Sequence, residues 1–386
     1  MEHIIDTMIQ LIRSEICEEK VSLKQEVTFN AEFLIELLVL SRKHNIAHIV
    51  TTALLKNGYL ENCPQKGQFV NEIYTAVYAY EKMSETVKEI YSLFERNKIC
   101  YIPLKGAVIR ELYPEPWLRT SCDIDILVKK EYLEEAVKLL EEKCGCTEKV
   151  RGNHDVALVT PDGIVIELHY RLLGKKSSPL YSRVLSQVWR TAEKEENSEH
   201  CYKLSKNIFC YYHILHMAKH FRTGGCGVRP FIDLWLIEQN CDYDISELNK
   251  LLEKGHLLSF TENARKLNSV WFSDKKHDET TLQMQSFIVK GGSFGTSETR
   301  RISDLHRAGG KIGYIVSKLF IPYGYLKRDY PILEKWPVLT PFCQVLRWIS
   351  LLFGKKKTVK DVQLKNISDL SKDKETISLF NKLGLK

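Results

Sequence analysis

Apolar residues recur every three or four positions over long stretches of this chain, which is the pattern of amphipathic helices. The longest such stretch covers residues 67–97, with apolar positions Val70, Ile73, Val77, Tyr80, Met83, Val87 and Ile90. Two earlier segments, residues 33–40 and 46–50, are mostly apolar and predict buried helices. Residues 1–98 are therefore expected to form a helical region.

The pattern changes between residues 99 and 175, where short apolar runs predict β-strands. Strands are expected at residues 100–104, 123–128, 156–160 and 164–170, with a helical turn at 107–112 and a helix at 131–143. Pro161, Asp162 and Gly163 predict a tight turn between the last two strands, because each of these residue types favours turn conformations. This region is expected to be a small α/β core that ends in a hairpin.

From residue 207 onward the apolar periodicity is again helical. Helices are predicted at residues 207–221, 229–239, 245–255 and 259–272, with more charged helices at 296–308 and 358–374. The expected fold class is α+β or α/β, with a small mixed sheet between N- and C-terminal helical regions. The expected divisions are 1–98, helical; 99–175, the α/β core; 176–310, a helical domain; and 311–386, a C-terminal helical extension.

Two carboxylates, Asp123 and Asp125, stand two positions apart in an otherwise apolar strand. Side chains at i and i+2 of a strand project from the same face, so both carboxylates lie side by side while Ile124 points into a core. A cation relieves their mutual repulsion, and hard oxygen ligands suit Mg²⁺ or Mn²⁺. Paired carboxylates that hold a divalent metal are typical of proteins that transfer phosphoryl and nucleotidyl groups.

A third carboxylate, Glu167, lies in the second strand of the predicted hairpin, where it shares a face with His169. An acidic side chain in a buried strand needs a partner. If the hairpin pairs beside the strand of Asp123 and Asp125, Glu167 completes a three-carboxylate cluster and His169 lines the same cleft.

These elements resemble the nucleotidyltransferase superfamily, whose core carries a Gly-[Gly/Ser] turn, an Asp-x-[Asp/Glu] pair and a third acidic strand residue. The motifs that carry the resemblance are Leu104-Lys105-Gly106, Leu112-Tyr113-Pro114, Leu118-Arg119, Asp123-Ile124-Asp125-Ile126-Leu127-Val128 and Glu167-Leu168-His169. More narrowly, they look like the largely uncharacterised bacterial group of stand-alone nucleotidyltransferase family proteins, over most of the chain. Ala107 departs from the pattern, since the superfamily has Gly or Ser at that position.

The resemblance implies a metal-dependent enzyme that transfers a nucleoside monophosphate from a triphosphate to a hydroxyl-bearing acceptor and releases pyrophosphate. It implies Mg²⁺ or Mn²⁺ as cofactor, held by the catalytic residues Asp123, Asp125 and Glu167. The implied nucleotide-binding residues are Lys105, Gly106, Ala107 and Arg119. Which triphosphate is used stays open, and so does the acceptor, which could be a small molecule, an RNA or a protein.

Three histidines, His213, His216 and His220, fall on one face of a predicted helix. They could contact nucleotide or acceptor, hold a metal, or be satisfied by hydrogen bonds within the fold, and Asp233 could orient one of their rings. Arg119 has two open interpretations as well, contact with a phosphate or pairing with a neighbouring carboxylate.

Two other functions stay open beside nucleotidyl transfer. Ala107 favours a non-catalytic nucleotide-binding or regulatory module with the same fold. The carboxylates also suit a metal-dependent phosphohydrolase, which would release free phosphate or nucleoside monophosphate without an acceptor.

Composition adds little to this picture. With 44% hydrophobic and 27% charged residues, the chain is typical of globular proteins, and its net charge of +7 suits an acidic ligand such as a nucleotide. The first residues lack the basic and apolar segments of a signal peptide. Eleven scattered cysteines without a Cys-x-x-Cys pair favour reduced thiols, so a cytoplasmic protein is expected.

The segment 311–357 combines aromatic, proline and basic residues and ends in Lys355-Lys356-Lys357. Its apolar runs are too short to span a membrane, so no stable insertion is expected. It could make peripheral contact with an anionic membrane, or form a terminal core helix with a solvated tail. The core helix is the favoured interpretation.

Overall fold

The computed structural model describes residues 2–23, 26–174, 179–353 and 374–385. Its strands are β1 Tyr101–Pro103, β2 Asp123–Val128, β3 Thr147–Arg151, β4 Asp155–Val159, β5 Val165–His169, β6 Glu193–Lys194 and β7 Tyr202–Lys203. Its helices are α1 Glu2–Ile16, α2 Ala31–Lys43, α3 Ala47–Lys56, α4 Lys66–Arg96, α5 Gly106–Ile109, α6 Leu133–Cys144, α7 Pro179–Leu185, α8 Val188–Thr191, α9 Lys206–Arg222, α10 Arg229–Asn240, α11 Ile245–Lys254, α12 Leu258–Phe272, α13 Glu279–Gly291, α14 Ser297–Arg307, α15 Lys311–Leu319, α16 Tyr323–Asp329, α17 Ile332–Lys335, α18 Thr340–Phe353 and α19 Lys374–Lys382. Short 3₁₀ helices lie at Arg110–Leu112, Pro116–Leu118, Lys130–Tyr132 and Pro337–Leu339.

A five-stranded sheet with the order β1-β2-β5-β4-β3 forms the centre of the α/β core. Within it, β2 and β5 run parallel, and the other neighbours are antiparallel. β4 and β5 form the expected hairpin, and β5 pairs directly with the aspartate-bearing strand β2. A mixed sheet between helical regions confirms the expected fold class.

The two faces of the sheet pack against different partners. On one face, Ile124, Ile126, Ile166 and Leu168 form a hydrophobic cluster with residues of α4 and α6. On the opposite face, Leu127 joins the largest hydrophobic cluster among the described residues, which contains residues of α1–α3 and α9–α13. Because side chains alternate along a strand, Asp123 and Asp125 share this second face with Leu127. The helical regions therefore cover the face that carries the carboxylates.

The predicted division into four ranges stays a prediction. The largest hydrophobic cluster contains residues of all four ranges, from Ile4 and Leu104 to Phe221 and Leu385. Packing therefore joins the helical regions and the α/β core into a shared interior.

The favoured core-helix interpretation of the C-terminal aromatic segment is wrong for its described part. Among α15–α18 a small cluster is formed by Leu326, Leu333 and Cys343. In α18, by contrast, Phe342 is 61% exposed and Ile349 is 48% exposed. The described apolar side chains of α18 are thus largely open to solvent. Residues 354–357 and most of the helix predicted at 358–374 lie outside the described residues.

Among the helices that the structure describes, none combines the length and apolar character required to cross a bilayer.

Candidate active site

The pairing of β2 with β5 determines how the predicted carboxylates meet. Asp125 lies directly beside Glu167 in the parallel register, and Asp123 lies two residues earlier on β2, opposite Val165. Since alternate residues share a face, both aspartates, Glu167 and His169 project from the same side of the sheet. All four line one cavity of about 1820 Å³.

Asp125 is the most enclosed of these carboxylates, with 3% of its surface exposed. Lys105 Nζ donates to Asp125 Oδ1 at 2.7 Å, and His169 Nε2 lies 2.8 Å from the same oxygen. Burial raises the pKa of Asp125, but the hydrogen bond from His169 and the charge of Lys105 outweigh burial and hold it well below its usual range. Asp125 is therefore a buried anion with two basic partners.

Asp123 has the opposite electrostatic situation. Burial and the neighbouring negative charge of Asp125 raise the pKa of Asp123, and Lys105 offsets these effects only in part. A cation in the cleft would relieve this repulsion. Donor atoms of Asp125, Glu167 and His169 lie within 4.8 Å of one another, whereas Asp123 borders the cavity outside this group. Carboxylate oxygens are the ligands that Mg²⁺ and Mn²⁺ prefer, so the residues fit a hard divalent cation.

The turn that precedes α5 brings Lys105 to Asp125. Lys105 has a positive φ of 44°, which residues other than glycine rarely adopt. At Gly106 a Cβ atom would lie only 2.1 Å from Ser121 Oγ, so the turn closes tightly against the segment before β2. Lys105 and Gly106 line the cavity, but Ala107 is not among its lining residues. Ala107 therefore gets no structural support as a nucleotide-binding residue, and that role stays a prediction.

Arg119 is buried and paired with a carboxylate on α10. Its Nε and Nη2 donate to the two carboxylate oxygens of Asp233 at 2.8 Å and 2.9 Å, and the Tyr113 hydroxyl donates to Asp233 Oδ1 at 2.7 Å. Burial raises the pKa of Asp233, but Arg119 outweighs this effect and lowers it. Asp233 thus orients Arg119. Among the described residues, it makes no hydrogen bond to any of the three histidines that it was expected to orient. Arg119 also borders the cavity, and its predicted role in nucleotide binding stays a prediction.

The three histidines of α9 line the cavity but do not act as one group. His213 Nε2 lies 3.0 Å from the carbonyl oxygen of Pro230, whereas the Nε2 atoms of His216 and His220 lie 3.2 Å apart. Burial and nearby positive charge hold the pKa of His216 well below its usual value and lower that of His220 to about 4. Both rings are neutral at pH 7, so one donates and the other accepts. Within the described residues, no three-ligand metal group includes them.

Several residues around the carboxylates escape notice in the sequence. Ser121, Tyr212 and Arg229 line the same cavity. Arg229 Nη1 donates to the carbonyl oxygen of Thr120 at 2.9 Å, and burial together with Arg119 lowers its pKa. Its position at the start of α10 is the signal that could have identified Arg229 as a functional candidate, because a basic residue is unfavourable at a helix N-terminus. Tyr212 gives no such signal, since it lies in an apolar stretch of α9.

Two glycine loops meet at one wall of the cavity. A Cβ atom on Gly225, after α9, would lie 2.1 Å from the backbone nitrogen of Gly295, after α13. Gly295 itself has a φ of +76° and approaches the carbonyl oxygen of Gly224. The two backbones are therefore in direct contact, with no room for side chains between them.

Comparison with protein families identifies the α/β core as that of a nucleotidyltransferase. The chain belongs to the family described as uncharacterised nucleotidyltransferase, whose model matches residues 35–273. This match confirms the predicted family and the predicted enzyme class, a transferase of phosphorus-containing groups.

No curated protein matches the chain. Two solved structures are similar to it in part. The antibiotic-resistance factor ANT(2'')-Ia is 9% identical and has a TM-score of 0.34, with 44% of this chain and 89% of that chain covered. An antigenic nucleotidyltransferase-like protein from Paracoccidioides brasiliensis is 14% identical and has a TM-score of 0.34, with 50% and 93% covered.

Proposed function

We propose that the protein transfers a nucleoside monophosphate from a nucleoside triphosphate to a hydroxyl-bearing acceptor in a metal-dependent reaction that releases pyrophosphate. The observation that carries this proposal is the parallel register of β2 and β5, which sets Asp125 beside Glu167. Family membership supports the reaction class. The metal, the triphosphate and the kind of acceptor are the proposed part.

Asp123, Asp125 and Glu167 would hold Mg²⁺ or Mn²⁺. Their oxygen donors suit such an ion, and the pKa of Asp123 is raised by burial and by the charge of Asp125, a repulsion that a cation relieves. A bound divalent ion supplies positive charge that neutralises phosphate oxygens during transfer.

Lys105, Gly106 and Arg119 would bind the phosphates. The Lys105 side chain is 22% exposed, so its amino group reaches both Asp125 and the cavity. Arg119 Nη1 lies 3.7 Å from the position that a Cβ of Gly106 would occupy, which places a guanidinium edge at the phosphate-binding turn. Because Asp233 holds Arg119 through two hydrogen bonds, this charge is fixed in position before a nucleotide arrives.

Glu167 would accept the proton of the acceptor hydroxyl or hold a second metal ion. Its side chain is 29% exposed, far more than that of Asp125, so an acceptor can reach it. His169 Nε2 lies 3.3 Å from Glu167 Oε2 and 2.8 Å from Asp125 Oδ1, which ties the two carboxylates together. General base catalysis requires such a group at the edge of the open cavity.

The decisive experiment follows label from the α-phosphate of each triphosphate onto candidate small-molecule, RNA and protein acceptors. We expect transfer by the wild type and a loss on the order of a thousandfold in Asp125→Asn, because one metal-binding carboxylate stabilises the transition state by several kcal/mol. Asp162→Asn, in the exposed turn before β5, is the matched control and should retain full activity.

Two outcomes would favour the alternatives. Tight nucleotide binding without label on any acceptor would indicate a binding or regulatory module. Release of labelled monophosphate that no acceptor changes would indicate a phosphohydrolase.

The cellular setting is part of the proposal. The eleven cysteines are free thiols in the structure, which supports a reducing, cytoplasmic location. The acceptor is then a hydroxyl compound of that compartment that the cavity admits.

We also propose peripheral contact between the segment 311–357 and an anionic membrane surface. Most of the exposed large apolar side chains among the described residues lie in this segment: Ile312, Val316, Leu319, Phe320, Tyr323, Tyr325, Ile332, Trp336, Val338, Leu339, Phe342, Val345, Leu346 and Ile349. Arg347 donates to the carbonyl oxygens of Lys318 and Leu319, which joins the apolar stripes of α15 and α18. Apolar side chains beside basic residues such as Lys311 and Lys335 suit an interface of anionic lipids.

A further inference from the structure

His154, Asp155 and His169 form a second group of potential metal ligands beside the carboxylates. The antiparallel pairing of β4 with β5 sets Asp155 directly opposite His169. His154 Nδ1 lies 3.5 Å from Asp155 Oδ1, and one donor atom from each of the three residues lies within 4.8 Å of the others. All three side chains line the cavity, so an ion could reach them from solvent.

The ring of His169 supplies the observation that points to a ligand. His169 is 3% exposed, and its Nε2 is engaged by Asp125 and Glu167. Within the described part of the chain, its Nδ1 is buried and has no hydrogen-bond partner. Buried polar atoms without a partner are rare because they lose hydration without compensation.

The contact between Asp125 and His169 prepares Nδ1 for a metal. When His169 donates its Nε2 proton to Asp125, Nδ1 carries a free electron pair. Metal-binding histidines commonly donate their second ring nitrogen to a carboxylate in this way, which fixes the tautomer and makes the ligand nitrogen more basic. The orphaned nitrogen of His169 is therefore accounted for if it binds a cation.

We propose that His154, Asp155 and His169 bind a transition-metal ion of the Zn²⁺ class, at a site distinct from the Mg²⁺ or Mn²⁺ position of Asp123 and Asp125. Two imidazole nitrogens and one carboxylate oxygen are a ligand set of zinc sites, whereas Mg²⁺ prefers oxygen ligands alone. Three protein ligands leave a fourth position open toward the cavity, as in zinc sites that bind water or substrate.

The loop before β4 has room for this arrangement. A Cβ atom at Gly152 would lie 2.0 Å from Asp155 Oδ1, so glycine at this position leaves the space that the carboxylate occupies. Ligand atoms around a four-coordinate zinc lie roughly 3.3 Å apart, so donor atoms that lie up to 4.8 Å apart must move closer together on binding. The His154 side chain is 31% exposed and can make this adjustment by rotation.

The experiment uses the metal-free full chain without nucleotide or Mg²⁺. Zn²⁺ is titrated by calorimetry, and Co²⁺ is followed by its visible absorption, which distinguishes four-coordinate from six-coordinate ions. We expect the wild type and Asp123→Asn to bind their tightest ion with equal affinity, and His154→Ala and Asp155→Asn to bind that ion at least tenfold more weakly. His200→Ala, a histidine outside the cavity, is the matched control and should bind as the wild type does.

The proposal is overturned if His154→Ala and Asp155→Asn retain wild-type affinity, or if binding depends on Asp123 instead. His154→Gln preserves side-chain size and separates loss of a ligand from loss of local packing, with circular dichroism as the check of folding. The inference goes beyond nucleotidyl transfer and does not depend on it. Failure of label transfer would leave these binding results unchanged, so the two proposals fail separately.

Discussion

Asp123 is a residue whose charge opposes folding as long as no cation is bound. Its pKa in the folded protein is raised by burial and by Asp125. A folded-state pKa above the unfolded value means that the native protein binds more protons, so stability falls as pH rises through the interval between the two values. This cost is fully present at any pH above both pKa values.

We therefore expect Asp123→Asn to melt at a higher temperature than the wild type in EDTA at pH 7, by an amount on the order of one degree. Mg²⁺ should raise the melting temperature of the wild type and leave that of the variant nearly unchanged, because the ion binds only the native carboxylates. Asp162→Asn is the control, because it removes the same single negative charge at an exposed position outside the site. Equal responses of wild type and Asp123→Asn to Mg²⁺ would count against the site.

Gly106 permits a test of the turn beside the carboxylates. Gly106→Ala places a Cβ atom 2.1 Å from Ser121 Oγ, and such overpacking costs about 1–3 kcal/mol. In the double variant Gly106→Ala with Ser121→Ala, the nearest atom becomes Ser121 Cβ at 3.3 Å, so most of the loss should be recovered. Urea denaturation of the two single variants and the double variant measures this coupling. If the loss of stability in the double variant equals the sum of the losses in the two single variants, the contact with Ser121 Oγ is not the cause of the destabilisation.

At the scale of elements, the pair Arg119–Asp233 connects the segment before β2 with α10. Both side chains are buried, with 9% and 2% exposed, and removal of one partner leaves the other charge uncompensated. Arg119→Ala or Asp233→Ala should each cost about 3–5 kcal/mol in the free energy of unfolding. Arg151→Ala, which breaks exposed ion pairs on β3, should cost less than about 1 kcal/mol and is the control. Comparable losses in all three variants, measured in guanidinium, would refute the argument.

The elements differ in how well local sequence predicts them. β2 is predicted within its observed bounds, because a buried central strand must be apolar on the core side. β3 escapes prediction, since an edge strand with mostly exposed side chains needs no apolar alternation. α18 has the pattern of a core helix although its apolar face is exposed, because periodicity identifies an apolar face without showing what covers it.

Within the site, strand periodicity predicts that Asp123 and Asp125 share a face, and that Glu167 joins them if the hairpin pairs beside their strand. The register of β2 and β5 provides that pairing, whereas the catalytic role of the three residues stays a prediction. Pairings between distant residues are beyond such reasoning. Lys105 and Asp125 are 20 positions apart, and Arg119 and Asp233 are 114 apart. Their contacts depend on how the helices pack over the sheet, which local sequence does not encode.

At the scale of the whole molecule, the open apolar face of α15–α18 predicts association with lipid. The full chain should sediment with vesicles of pure phosphatidylglycerol and much less with vesicles of pure phosphatidylcholine, because basic residues border the apolar face. Trp336→Ser with Val338→Ser, at positions 63% and 85% exposed, should weaken binding by roughly tenfold or more.

Ile245→Ser is the matched control, since Ile245 is 62% exposed but lies on α11, outside this segment. Concentration-dependent dimers in light scattering that Trp336→Ser abolishes, with no lipid binding, would assign the face to a second copy of the chain instead.

The contact between the Gly225 and Gly295 loops has a consequence for the evolutionary record of this protein. Both positions exclude every side chain for steric reasons, and neither residue contributes a side-chain functional group. Selection would therefore hold both positions as glycine as strictly as it holds a catalytic carboxylate. Invariance of these two glycines would reflect only the close contact of two backbones. A search for active-site residues by conservation alone would then wrongly include this pair of loops in the reaction centre.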